Sequence, residues 1–297
     1  MEYITAKTII SQYMENNPWF GINYNMNIYK GCCHGCIYCD SRSECYQIEN
    51  FDKVRAKDNA VNIIHKELKS KKRTGVVGTG AMSDPYNPFE RDLMLTRNAL
   101  KEINLNGFGV AIATKSSLIT RDIDILKEIK SHSPVLSKIT ITTFDDALCR
   151  RIEPNVSLSS ERFKAIENLS SNGIYTGILL MPVLPFINDN VENIRNIVRQ
   201  ASSCGVKFIY AYGMGVTLRQ NQRDYYYEQL YKNFPEENLV KKYIETFNNN
   251  YECASLKSKF LWEVFVEECK NNGITYKMKD IIDGYKKDYY KKQISWF

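Results

Sequence analysis

The chain has 297 residues, of which 43% are hydrophobic and 25% are charged, and its formal net charge is +6. This length suits one large α/β domain or two average ones, and the apolar content is enough for a sizeable buried core. The mild basic excess permits an anionic partner without requiring one. No run of about 18 apolar residues occurs, so we expect no membrane span.

The N-terminal segment has no basic stretch followed by an apolar one, which does not fit a secretory signal. We therefore expect a cytoplasmic protein. In a reducing cytosol, clustered cysteines are more often metal ligands or redox groups than disulfides. The nine cysteines are also an odd number, so disulfides alone could not pair them all.

Apolar strands and amphipathic helices alternate along most of the chain. The strand-like segments are 25–30, 75–79, 109–114, 137–144, 174–184 and 206–213. The segments with helical spacing are 58–70, 90–104, 121–131, 159–173 and 188–205. Such alternation is typical of a parallel sheet covered by helices. Six strand–helix steps predict an α/β fold, a partial (β/α)6 barrel of the TIM type, with its active face at the carboxyl ends of the strands.

The chain divides into two regions of different composition. We expect residues 1–225 to form the barrel, with its core from about residue 25. Residues 226–297 are rich in tyrosine and lysine, and we expect a helical C-terminal extension packed on the barrel. Its last segment, 284–297, interleaves lysines with aromatic residues, which suits nucleic-acid binding and equally suits a solvated basic tail.

A cysteine-rich loop follows the first predicted strand directly, which places it on the active face. Cys32, Cys36 and Cys39 have the spacing Cys-x3-Cys-x2-Cys. Three thiolates so closely spaced can surround a compact inorganic core. On a [4Fe–4S] cluster they leave one iron without a protein ligand, and an open metal position is typical of a catalytic site. The alternative is a zinc site with Cys45 or His34 as the fourth ligand.

This loop and its position resemble the radical S-adenosylmethionine (SAM) enzymes. The resemblance covers most of residues 25–225 and narrows to the spore photoproduct lyase-like branch, also labelled DNA repair photolyase. Five blocks occur in the order of that branch: GCCHGCIYCDSRS, GTGAMSDPYNPFE, IATKSSLITRDIDIL, TITTFDDALCRRIEPNVSLSSERFKAI and MPVLPFIND. The resemblance implies reductive cleavage of SAM at a [4Fe–4S] cluster, which yields a 5′-deoxyadenosyl radical for hydrogen abstraction.

The resemblance also implies a set of SAM contacts in the cysteine loop and at the strand ends, namely Tyr38, Ser83, Asp84, Lys115, Ser116, Thr142, Thr143 and Pro182. Ser83 and Asp84 would accept hydrogen bonds from the SAM amino group, and Lys115 would pair with its carboxylate. Structural explanations stand beside these. Tyr38 could simply pack the loop, and Asp84 could belong to a rigid turn.

Nearby positions leave the catalytic residues unassigned. Arg151 and Glu153 fit a structural ion pair as well as a cofactor contact. Spore photoproduct lyase uses a hydrogen-donating cysteine near the second-strand block, whereas Ala81 or Met82 stands there in this chain. Relatives commonly have an aromatic residue after the third cysteine ligand, and this chain has Asp40. Both departures count against thymine-dimer repair.

The sequence therefore predicts a radical SAM enzyme that takes electrons from a one-electron donor such as flavodoxin or ferredoxin. Nucleic acid is the first substrate hypothesis, and a peptide or protein is the second. The alternative is a metal- or cluster-stabilised nucleic-acid-binding module without catalysis. A barrel hydrolase is a third hypothesis, but the chain has only three histidines and offers no evident acid–base machinery.

Overall fold

One central sheet positions the rest of the chain. The computed structural model describes residues 1–13 and 19–294, with side chains as far as Tyr289. Its strands are β1 (Glu2–Ile4), β2 (Ile10–Gln12), β3 (Tyr24–Met26), β4 (Tyr29–Lys30), β5 (Arg55–Lys57), β6 (Val76–Thr79), β7 (Gly109–Thr114), β8 (Val135–Thr140), β9 (Tyr175–Leu180), β10 (Phe208–Ala211), β11 (Gly215–Thr217) and β12 (Glu252–Ala254).

The central sheet has seven strands in the order β10-β9-β8-β7-β6-β3-β2. Neighbouring strands from β3 to β10 are parallel, and β2 runs antiparallel to β3 at one edge. Each strand–helix step places its strand beside the previous one, as short crossover connections favour. The six parallel strands confirm the predicted α/β class and the partial-barrel architecture, and β10 and β2 remain at separate edges.

Helices follow most of the strands. They are α1 (Ala60–Ser70), α2 (Glu90–Leu93), α3 (Leu95–Leu105), α4 (Ile123–Lys130), α5 (Asp146–Ile152), α6 (Ser159–Ser171), α7 (Val191–Ser203), α8 (Gln220–Asn233), α9 (Leu239–Phe247), α10 (Ser258–Asn271) and α11 (Met278–Ile294). Short 3₁₀ turns lie at Trp19–Gly21, Asp40–Arg42, Glu44–Tyr46 and Ser117–Asp122.

Side chains of each strand alternate between two apolar clusters, as the pleat requires. In β8, Ile139 packs outward with Ile166 of α6, whereas Leu136 packs inward with Phe20 and Tyr285. The Tyr285 hydroxyl donates to the Phe20 carbonyl at 2.6 Å. The C-terminal helix α11 and the turn at Trp19–Gly21 therefore close the bottom of the inner face.

The first predicted strand, 25–30, is divided in the structure. Its first part, β3, joins the central sheet beside β6. The second part, β4, pairs with β5 in a separate three-stranded sheet that also contains β1. The chain changes sheets between the two strands, so the cysteine loop begins at the small sheet rather than at the central one.

The predicted helix over 90–104 is also divided, at Met94, which has a left-handed φ of 51°. The buried Glu90 carboxylate accepts hydrogen bonds from the backbone nitrogen of Thr96 at 3.0 Å and from Arg121 at 2.9 Å. Glu90 thereby satisfies an otherwise unpaired N–H group in the first turn of α3. One carboxylate that must reach two partners explains why a single continuous helix does not form.

The C-terminal part of the chain is mostly helical. A two-stranded antiparallel sheet joins β11 to β12, and α10 packs on the outer cluster through Leu261, Val264 and Phe265. The division of the chain into a barrel and an extension stays a prediction, and α8 runs across its boundary at residues 225 and 226. None of the helices in the described residues has the length and apolar character needed to cross a bilayer.

Candidate active site

The carboxyl ends of the parallel strands surround a cavity of about 570 Å³. One side is formed by the cysteine loop and the ends of β6 and β7, with Tyr38, Cys39, Asp84 and Lys115 in its wall. The remaining wall includes Trp19, Lys138, Thr140, Met181, Pro182 and Tyr212. A cavity at this edge of a parallel α/β sheet is where substrates and cofactors bind in such folds.

The three predicted ligand cysteines lie in the loop between β4 and β5, and all are free thiols. Cys36 is buried, and Cys32 and Cys39 are half-buried. Burial raises the pKa of Cys36 most strongly, and the nearby charges of Cys39 and Cys32 raise it further. The three thiols therefore lie within electrostatic reach of one another.

No three His, Cys, Asp or Glu side chains in the described part of the chain are arranged to hold a single metal ion. A [4Fe–4S] cluster has different requirements, because each thiolate binds a separate iron of an extended core. Three free thiols on one short loop, with a cavity beside them, fit such a cluster.

Backbone contacts fix the course of the cysteine loop. Gly31 has a φ of +80°, and a Cβ atom there would lie 2.6 Å from the Phe51 carbonyl oxygen. The same carbonyl accepts a hydrogen bond from the backbone nitrogen of Cys32 at 2.8 Å. Farther along, the nitrogen of Ile37 donates to the carbonyl of Ile152 at 3.0 Å. Only glycine combines this conformation with so close an approach.

Lys115 lies at the end of β7 on the same side of the cavity as the thiols. Its Nζ is 5.7 Å from the centre of the Tyr38 ring. Burial works to lower the pKa of Lys115, but the negative charges of Cys36 and Glu153 raise it above its ordinary value. Acidic groups at the thiol end of the cavity therefore stabilise the charged form of Lys115.

Asp84 organises the second strand end. Its carboxylate accepts hydrogen bonds from the Thr114 hydroxyl at 2.6 Å, from the Tyr86 nitrogen at 2.9 Å and from the Lys115 nitrogen at 2.7 Å. The ring nitrogen Nδ1 of His34 lies 3.5 Å away. One buried carboxylate therefore ties the ends of β6 and β7 to the cysteine loop.

A buried ion pair behind Tyr38 escaped sequence analysis. Glu153 is 1% exposed and Arg162 is fully buried, and their charged groups are 2.5 Å apart. The hydroxyl of Tyr38 donates to the same carboxylate. Burial favours the neutral acid, but Arg162 and Lys115 outweigh it and lower the pKa of Glu153. Arg151 instead pairs with Glu237 at the surface, 3.0 Å away.

Several predicted SAM contacts have other partners in the structure. The Ser116 hydroxyl accepts from the Leu118 nitrogen and caps the following 3₁₀ turn. Thr142 donates to Glu153 at 3.3 Å, and the Thr143 hydroxyl accepts from the backbone nitrogen of Asp145 at 3.2 Å.

These three side chains and the buried Ser83 do not belong to the cavity wall, whereas Tyr38, Asp84, Lys115 and Pro182 do. The sequence had placed the end of β8 too late, so Thr140 lines the cavity in place of Thr142 and Thr143. Lys138 was not among the predicted site residues. The signal that could have identified it is a lysine inside the strand segment VLSKIT.

The segment that follows β6 contains no cysteine. Ala81 and Met82 both line the cavity, and Cys39 is the only cysteine of the described residues that does. Cys45 is exposed and lies outside that wall.

Comparison with known proteins identifies the class of protein to which this fold and cavity belong. Residues 26–201 match the radical SAM superfamily. The match spans more than half of the chain, so the chain belongs to the radical SAM superfamily. The protein is therefore an enzyme whose cofactors are SAM and a [4Fe–4S] cluster.

A curated relative and two solved structures match most of the chain. An uncharacterized protein of Methanocaldococcus jannaschii is 31% identical over 266 residues, which cover 88% of each chain. Spore photoproduct lyase complexed with dinucleoside spore photoproduct matches with a TM-score of 0.63 at 13% identity, over 91% of this chain and 79% of that chain.

A spore photoproduct lyase mutant with bound AdoMet and dinucleoside spore photoproduct matches with a TM-score of 0.60 at 14% identity, over 84% of this chain and 74% of that chain. At these identities the likeness concerns the fold.

Proposed function

We propose that Cys32, Cys36 and Cys39 hold the cluster and that SAM binds in the adjoining cavity, with Lys115 as the partner of its carboxylate. The observation that carries this proposal is a cluster of three free thiols, one of which, Cys39, lies in the cavity wall together with the cation Lys115. When bound, the cluster and SAM supply one-electron cleavage of the sulfonium to methionine and a 5′-deoxyadenosyl radical.

The chain's own residues position and shield this chemistry. Asp84 has its oxygens occupied by hydrogen bonds from β7 and the loop after β6, so we assign it to holding Lys115 in place. Tyr38 is fixed by Glu153 and presents its ring beside Lys115. Apolar wall residues such as Met181 and Val216 exclude water from a reactive radical.

Nucleic acid is the substrate that we propose. The support is the fold shared with spore photoproduct lyase, whose solved complex contains a dinucleoside spore photoproduct, together with the net charge of +6. The repair reaction itself is not proposed, because a thiol near Met82 is missing. The basic segment 284–297, the other sequence signal for nucleic acid, lies partly outside the described residues.

The same proposal includes an electron donor and a cellular location. Reduction of the cluster requires one electron, which a flavodoxin or ferredoxin would supply. Free thiols and an oxygen-sensitive cluster suit a reducing compartment, so we propose that the protein works in the cytoplasm.

The experiment is anaerobic reconstitution with iron and sulfide, followed by reduction and addition of SAM. We expect 5′-deoxyadenosine from the wild-type protein and none from Cys36→Ala. Cys45→Ala, which changes an exposed thiol, serves as the matched control and should retain the product. A protein that binds zinc tightly and leaves SAM intact would contradict the proposal and favour the non-catalytic binding module.

Deuterated DNA oligonucleotides then test the substrate. We expect deuterium in the 5′-deoxyadenosine if hydrogen is abstracted from DNA. Unlabelled 5′-deoxyadenosine in the presence of single- and double-stranded deuterated DNA would exclude DNA as the substrate while leaving the SAM chemistry established.

A further inference from the structure

Lys138 is a charged residue in the interior of a buried strand. It lies on β8, two residues before the strand ends at Thr140, and is 3% exposed. At about 3.3 Å per residue, this places it roughly 7 Å deeper than the strand end. Its side chain belongs to the wall of the large cavity, so it faces the inside of the barrel.

Small residues flank Lys138 on both neighbouring strands. Its register partners are Ala113 on β7 and Gly177 on β9, and the cavity wall continues to Gly78 on β6. Phe208 packs over Gly177 and Ile22 over Gly78, but Lys138 and Ala113 both belong to the cavity wall. The ammonium group can therefore meet a molecule that enters the cavity beside Ala113.

The ammonium group of Lys138 has no hydrogen-bond acceptor and no carboxylate partner among the residues that the structure describes. The ammonium group lies over the Phe20 ring in a cation–π contact, with the ring centre 4.5 Å from Nζ. Burial alone lowers the pKa of Lys138 to about 7. The other charged or acidic groups of the cavity, including Cys39, Asp40, Asp84 and Lys115, do not alter it.

Lys286 is a nearby lysine whose ammonium group has a hydrogen-bond acceptor. It reaches the same turn from α11, and its Nζ donates to the carbonyl of Gly21. Lys138 and Lys286 thus approach adjacent residues, Phe20 and Gly21, yet only Lys286 has a backbone acceptor. A buried cation without an acceptor is costly, which points to a partner that the described residues do not supply.

We propose that Lys138 is the receptor for an anionic group, a carboxylate or a phosphate, of the substrate. This inference rests on the proposed function, since it assumes that the cavity holds SAM beside Lys115 and the substrate beside Lys138. The two lysines then divide the cavity, with the cofactor carboxylate at the thiol end and the substrate anion at the depth of Lys138. A substrate without an oxyanion would leave the ammonium group unpaired.

Nuclear magnetic resonance of [ε-¹³C]lysine in the cluster-loaded protein tests this directly. Lys138→Met identifies the Lys138 signal by its disappearance, and Lys286→Met is the matched control that should leave that signal in place. The midpoint of the Lys138 titration is measured alone, with SAM, and with inorganic phosphate or acetate added in the presence of SAM. We expect at least one of the two anions to raise it by about one pH unit or more.

The outcomes separate the sources of the anion. A shift with phosphate alone indicates a phosphate-bearing substrate, a shift with acetate alone indicates a carboxylate-bearing one, and either supports the proposal, as does a shift with both. A midpoint that neither anion moves would overturn it, as would a midpoint near that of an exposed lysine. A shift that SAM alone produces and completes would assign Lys138 to the cofactor and also overturn it.

This result is independent of SAM cleavage. The Lys138 signal can respond to anions in a protein that makes no 5′-deoxyadenosine, and it can fail to respond in one that does. Failure of this inference and failure of the proposed function are therefore distinguishable.

Discussion

Two lysines line the same cavity in opposite electrostatic settings. Lys115 lies among Cys36, Glu153 and Asp84, and the pKa of its ammonium group is raised despite burial. Lys138 lies deeper, has the Phe20 ring as its neighbour, and has its pKa lowered to about 7. In the part of the chain that the structure describes, acidic groups surround the lysine at one end of the cavity and none pairs with the lysine at the other. At the Lys115 end, residues of the protein balance the charge of the lysine. At the Lys138 end, a bound ligand would have to supply the balancing charge.

The largest expected effect is at the thiol end. Cys32→Ala, Cys36→Ala and Cys39→Ala should each abolish stable binding of about four irons per chain, because each removes a ligand of the cluster. Iron and sulfide analysis after anaerobic reconstitution measures this. Cys33→Ala, which changes the thiol next to Cys32, is the control and should keep the iron. Equal iron loss in all four variants would contradict the ligand assignment.

The ion pair behind the thiol end gives the next largest effect. Arg162→Met leaves the buried Glu153 carboxylate without its ion-pair partner and should lower the free energy of unfolding by about 3–5 kcal/mol. Arg151→Met breaks a pair between groups 43% and 41% exposed and should cost about 0–1 kcal/mol. Urea unfolding of both variants sharpens the comparison. Similar losses from both would show that burial of the Glu153 carboxylate does not matter.

At the Lys138 end of the cavity, we expect a substitution to stabilise the folded protein and not to destabilise it. Lys138→Met removes a buried charge for which the described residues offer no acidic partner, and it should raise the free energy of unfolding by about 2–4 kcal/mol at pH 7 or below. Below pH 7 the lysine is charged in both the folded and the unfolded states, so the penalty is fully present. Between the folded pKa of about 7 and the ordinary value of 10.5, only the unfolded state keeps the proton, and the wild type gains stability as the pH rises.

Urea unfolding at several pH values measures this gain. The advantage of Lys138→Met should shrink steadily from pH 7 to pH 10. An advantage that stays constant over that range, or a variant that is less stable than the wild type at pH 7, would show that Lys138 already has a partner.

Loop strain gives the smallest effect. Gly31→Ala forces a Cβ into two backbone carbonyls, of Phe51 at 2.6 Å and Lys53 at 2.7 Å, and should cost about 2–3 kcal/mol. Gly107→Ala has a similar φ of +70° with no atom within 4 Å of the added Cβ, so only about 1 kcal/mol is expected. Thermal unfolding should show a clear difference between them, and equal shifts would mean that the loop can move aside.

The sheet and the cysteine loop were predictable because local patterns determine them. Strand periodicity and cysteine spacing are readable over a few residues, and they gave the six parallel strands and the loop beside the cavity. The position of Lys115 at the end of β7 also followed, since 109–114 was identified with its correct ends.

Other features depend on contacts between distant segments. The pairing of Glu153 with Arg162 could not be chosen over Arg151, because the choice depends on how α6 packs against β8. The inward direction of Lys138 required the register of β8 with its neighbours. The chain leaves β8 after Thr140, so Thr142 and Thr143, although on the same predicted strand, lie in the buried network instead of the cavity wall.

The central claim is that the three thiols hold a cluster with an iron open to SAM. Electron paramagnetic resonance of the reduced, reconstituted protein, recorded with and without SAM, tests it most directly. The account predicts a reduced [4Fe–4S] signal whose shape changes when SAM is added and which is absent in Cys36→Ala. A signal that SAM does not alter would contradict the account, and so would a protein that forms no iron signal at all.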